Sequence, residues 1–103
     1  MFYLVLTTTK GRTEAGRIAK KIVEGKLAAC ANVVPGVSST YRWKGKIERS
    51  SESLLLIKTS GDKLDKLIAR IKALHSYDVP EIIALPIKGG SPKYFKWLKE
   101  SLR

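Results

Sequence analysis

Residues 28–60 of this 103-residue chain read as one long hairpin, and no other feature restricts the fold so strongly. The outgoing run AACANVVPGVSSTYRW, residues 28–43, has the β-branched and aromatic content of a strand, and KIERSSESLLLIKTS, residues 46–60, is its return. Between them Trp43-Lys44-Gly45-Lys46 has the length of a tight turn, with Gly45 supplying a positive φ. Pro35 lacks an amide donor and Gly36 lacks a side chain, so this pair predicts a bulge or an edge position in the outgoing strand. The return strand is polar in its first half and apolar in its second. A hairpin patterned this way projects beyond the core at its turn and enters the core at its base.

What flanks the hairpin completes a fold. FYLVLT, residues 2–7, is a continuous apolar run, as expected of a strand covered on both faces. From Thr13 the period changes: Ile18, Ala19, Ile22, Val23 and Leu27 fall on one helical face, and Gly25 marks the end of that helix. After the hairpin, Asp62 is an expected N-cap for a second helix carrying Leu64, Leu67, Ile68, Ile71 and Leu74. EIIALPI, residues 81–87, reads as a fourth strand, and Ser91-Pro92 opens a terminal helix with Phe95, Leu98 and Leu102. The order βαββαβ plus a C-terminal helix predicts an α+β, ferredoxin-like split βαβ domain over residues 1–103, with an antiparallel sheet and both main helices on one face. One short terminal helix is too little cover for the other face. That shortage predicts self-association.

Composition excludes more than it selects. The 20 Lys and Arg against 9 Asp and Glu give a net charge of +11, which raises nucleic acid as a partner. The cations punctuate helix faces and turns without forming a block, the pattern of a solvated surface, so no nucleic-acid partner is expected. The third strand offers no aromatic platform for stacking bases, and the loop after the first strand, TTTKGRTEAG, has arginines but no asparagine for an acylphosphatase-type phosphate cradle. No P-loop, dinucleotide glycine pattern or catalytic triad order is present. The single Cys30 excludes an intrachain disulfide and fits a reducing compartment. The N-terminal run has no basic region before it and reads as a strand instead of a signal peptide, no segment has the length of a membrane span, and a cytoplasmic location is expected.

One connector gathers unusual chemistry. HSYDVPE, residues 75–81, holds the only histidine together with Tyr77, Asp78 and Glu81. His75 and Cys30 are the soft donors that copper or zinc would choose. Each also has a structural reading: Cys30 as a small buried group at a strand start, His75 as an imidazolium stabilised by the dipole at a helix C-terminus. Trp43 at the turn fits an interface anchor.

Over essentially the whole chain, KLAACANVVPGVSSTYRWKGKIE, LLLIKT, HSYDVPEIIALPI and YFKWLKESLR resemble the CutA divalent-cation-tolerance family, in order and at matching separations. The resemblance implies a ferredoxin-like protomer in a tight homotrimer, a cytoplasmic role in tolerance of divalent metal, copper in particular, and no catalytic activity. It further implies that Cys30, His75 and Glu81 are metal-site positions, and that Trp43, Lys58 and Tyr77 line a cleft between subunits. Some relatives have a second histidine where this chain has Leu74, and further cysteines that it lacks.

One Cys, one His and one Glu leave a coordination position open, so a closed structural zinc site within a protomer is not expected. A trimer triples the donors. The alternative is a signalling module resembling the trimeric PII-like proteins, with a small anionic metabolite in the cleft and Lys58 supplying the charge.

Overall fold

The computed structural model describes residues 1–103. Its elements are β1 (Phe2–Thr9), α1 (Arg12–Glu24), β2 (Cys30–Trp43), β3 (Lys46–Ser60), α2 (Leu64–Leu74), β4 (Ile82–Ile87) and α3 (Pro92–Ser101), with a short 3-10 turn at Gly61–Lys63. The four strands form one sheet in the order β2-β3-β1-β4, and every neighbouring pair is antiparallel. This is the expected split βαβ arrangement.

Residue parity divides the sheet into two faces. Val5 of β1 with Leu55 and Ile57 of β3 faces α1 and α2, and these residues close over Ile18, Ile22, Leu67 and Ile71 as a buried core. The opposite parity of β1, Phe2, Leu4 and Leu6, is only half-buried, so the expectation of cover on both faces holds within a protomer for one face alone. α3 covers one end of that second face. There Phe2 stacks on Phe95 at 5.2 Å between ring centroids, beside buried Leu98 and Leu102. Beyond α3 the face is open, with Ile83 and Leu85 of β4 at 48% and 44% exposure.

The hairpin is built as its turn chemistry requires. β2 and β3 pair from Cys30↔Lys58 to Trp43↔Lys46, with a register shift between Val34 and Val37 at the Pro35-Gly36 interruption, where Gly36 has φ 71°. Lys44 and Gly45 have φ 51° and 80°, the double positive φ of a two-residue hairpin turn. From Thr40 to Arg49 every residue is exposed. Ser91 caps α3 by accepting from the Tyr94 amide at 3.4 Å, with Pro92 in the first turn.

Three local expectations are corrected. Asp62 lies inside the 3-10 turn and accepts from the Ser60 hydroxyl, so α2 begins after Lys63 without a side-chain cap. Val23 points to solvent, because the apolar stripe of α1 narrows to Ala15, Ile18, Ala19 and Ile22 as the helix leaves the sheet. Glu81 precedes β4, which starts at Ile82.

Candidate functional site

The connector 75–81 is pinned to three elements by a short chain of hydrogen bonds. His75 ends α2, its amide donating to Ile71 at 2.9 Å and its φ and ψ of −77° and 141° turning the backbone out of the helix. Nε2 lies 2.8 Å from the Thr8 carbonyl of β1, and Nδ1 accepts from the Tyr77 amide at 3.1 Å. A carbonyl can only accept and an amide can only donate, so these partners fix the neutral ring with its proton on Nε2. The Ser76 amide donates to Glu14 Oε2 of α1 at 2.8 Å. The Tyr77 hydroxyl donates to Glu52 Oε2 of β3 at 2.7 Å, while its ring leans on His75 at 4.9 Å between centroids.

These contacts shift two acidities. Burial, then the bond to the Glu52 carboxylate and its charge, pushes the Tyr77 phenol far above the ordinary range, so it remains a donor at any physiological pH. Burial also pushes Glu14 up, but the hydrogen bonds from Ser76 outweigh it and hold the carboxyl below its usual value. Glu14 Oε1 is buried without a partner.

Between this connector and the root of the arm lies an open cleft of about 690 Å³. Tyr41, Trp43, Glu52, Tyr77, Asp78 and Glu81 are among its lining, together with hydroxyls of Thr8, Ser39, Thr40 and Ser76, and neither Lys nor Arg takes part. Of the six residues singled out from the sequence, the cleft brings together Trp43, Tyr77 and Glu81, with His75 packed against Tyr77.

Cys30 and Lys58 lie elsewhere. They are register partners, with Lys58 Nζ 3.9 Å from Cys30 Sγ and bonded to Asn32 Oδ1, beside Tyr94 of α3. Lys58 pairs in turn with Leu4, four residues along β1 from the Thr8 that holds His75, a separation of about 13 Å along the strand. No group of three His, Cys, Asp or Glu side chains within the protomer is placed to hold a metal ion. Cys30, His75 and Glu81 therefore do not form one site in a single chain, and both ring nitrogens of His75 already have partners. Nor does Lys58 reach the cleft of its own protomer, whose carboxylates would repel the small anion of the PII-like alternative.

Sequence reasoning missed Glu52 and Tyr41, and noted Asp78 only as part of the connector. Parity carried a signal for the first: Glu52 shares its face with Leu54 and Leu56 at the point where β3 turns polar, a place where an acid is conspicuous.

A sequence model of the CutA1 divalent ion tolerance protein family matches residues 3–101. A rice relative, protein CutA 1, chloroplastic, is 54% identical over 101 residues, covering 97% of this chain and 57% of its own; the chain thus spans little more than half of that relative. Among solved structures, the divalent cation tolerance protein Cut A1 of Thermus thermophilus is 50% identical with a TM-score of 0.95, covering 98% of both chains. The periplasmic divalent cation tolerance protein CutA of Archaeoglobus fulgidus is 38% identical with a TM-score of 0.97 over the full length of both chains.

Proposed function

The chain belongs to the CutA1 divalent ion tolerance protein family, and from that premise we propose a homotrimeric, non-enzymatic protein that holds divalent metal, copper included, weakly at clefts between its subunits. The observation that carries the reading is the cleft at the root of the arm: it is lined by oxygen donors including Glu81, it is open, and it is incomplete as a metal site in one protomer. Donors from a second copy are what it lacks. Cys30 serves as a ligand only from such a neighbour, and His75 only by giving up its bond to the Tyr77 amide.

Assembly is supported by the open sheet face with exposed Ile83 and Leu85, and by an arm that no element of its own chain covers. A two-stranded ribbon is marginal in water without packing. A cytoplasmic location belongs to the same proposal and rests on the lone thiol; no helix is long and apolar enough to cross a membrane. Light scattering followed by titration with copper, zinc and an adenine nucleotide tests the reading. Three times the monomer mass and saturable metal binding that falls with Glu81→Gln are expected. A monomer at micromolar concentration, or nucleotide binding without metal binding, overturns it.

A further inference from the structure

Closing the cleft with a second copy raises a question of charge. Glu52 is 7% exposed, its Oε2 takes one hydrogen bond from Tyr77, and neither Lys nor Arg lines the cleft around it. A neighbour that excludes water from this place removes the solvation that Glu52, with Asp78 and Glu81 beside it in the lining, still has. A carboxylate taken further out of water needs a counterion. We propose that the Lys58 ammonium of a second copy enters the cleft and pairs with Glu52, so that the open sheet face meets its neighbour head to tail. The inference rests on the trimer proposed above and names the contact that sets its register.

Three observations converge. First, parity puts both groups on one face: Glu52, Leu54, Leu56 and Lys58 alternate down the side of β3 that the two main helices leave open. They stand six residues apart along the strand, about 20 Å, too far to meet within one chain. Second, both lack an ionic partner, the one salt bridge of the protomer being Arg17 to Glu14 at 3.7 Å. Lys58 is half-buried, and Nζ is held by the amide oxygen of Asn32 beside Cys30 Sγ at 3.9 Å. Outside the arm it is the only cation that the strands place on this face, where Leu4, Leu6, Ile83 and Leu85 surround it with apolar surface. Third, a ring of three copies shows each neighbour a different patch, so one chain must carry both halves of the contact. An acidic end and a basic end of one apolar face are such halves. The same docking brings Cys30, the register partner of Lys58, toward the cleft.

Neutral variants test the pairing with little disturbance of the protomer. Glu52→Gln keeps an acceptor for the Tyr77 hydroxyl, and Lys58→Met keeps most of the apolar stem. Dissociation of the full-chain trimer is followed by sedimentation in increasing urea, which leaves ion pairs unscreened, while circular dichroism reports the fold of the protomer. Each single variant leaves one charge unpaired at the interface and should raise the dissociation constant about tenfold or more. The double variant leaves none and should hold together at least as well as either single. Reversal extends the test: Glu52→Lys with Lys58→Glu should assemble better than Lys58→Glu alone. Losses that add in the double variant, or single variants that dissociate like the native trimer, overturn the pairing and leave the trimer standing. A native chain that is monomeric at micromolar concentration removes the trimer, and the pairing with it.

Discussion

β3 runs through two environments, and the contrast between them organises the molecule. Its second half, Leu54–Lys58, lies between β2 and β1 with Leu55 and Ile57 wholly buried under both helices. Its first half, Lys46–Glu52, pairs with β2 alone and is exposed from Lys46 to Arg49. The base is thus hydrogen-bonded along both edges and the arm along one. Burial differs in the same sense. The base supplies the stability of the protomer, and the arm supplies surface for something outside it. Glu52 stands at the boundary, where the connector fastens through Tyr77, and the cleft opens there.

The sharpest way to break the comparison is to cut both halves by the same kind of change. Leu55→Ala removes a fully buried side chain from the base and should cost about 2–5 kcal/mol, measured as a lower denaturation midpoint. Trp43→Ala, at the arm, should leave secondary structure intact and shift the proposed trimer toward smaller species, by about 2 kcal/mol or more of assembly energy in sedimentation or light scattering. An arm that merely decorates the surface would give an unchanged oligomer.

The boundary itself is tested by Tyr77→Phe. Glu52 Oε2 then loses its donor in a place almost closed to water, a loss of about 1–3 kcal/mol. Hydrogen exchange should quicken in residues 75–81 and leave Leu55 and Ile57 protected, since the base does not depend on this bond. Uniform loss of protection would show that the connector and the base unfold together and that the division is wrong.

Legibility followed the same division. The base was readable from period, because Leu55 and Ile57 alternate with half-buried Leu54 and Leu56, and the turn was readable because Lys44-Gly45 needs positive φ. The bulge at Pro35-Gly36 was likewise written in residue type. The site was readable only as a set of residue types. Which of them meet depends on register: Cys30 falls opposite Lys58, His75 beside Thr8, and that offset separates thiol from imidazole. Nothing local in the sequence specifies it. Asp62 misled because a carboxylate before a helix satisfies a cap and a 3-10 turn equally well by local rules, and Ser60 took the acceptor.

The smallest expected effect is in the pH dependence of the connector, and its sign is informative. Glu14 is pulled two ways: burial favours the neutral acid, while the hydrogen bonds from Ser76, its amide at 2.8 Å, favour the carboxylate. Lowering prevails, so the folded protein binds the proton less readily than the unfolded chain, whose value is near 4.5. The stabilisation is then complete above that value and is lost as the pH falls through the lower value of the folded state. Glu14→Gln keeps an acceptor for Ser76 without the charge and should be less stable than the native chain at pH 7, with the difference shrinking in acid. Chemical denaturation of both proteins from pH 7 down to about 3 checks this. A gap that stays constant would show that Glu14 serves only as an acceptor. Stability that rises on acidification would mean that burial prevails, and the Ser76 contact would then be too weak to fasten the connector to α1.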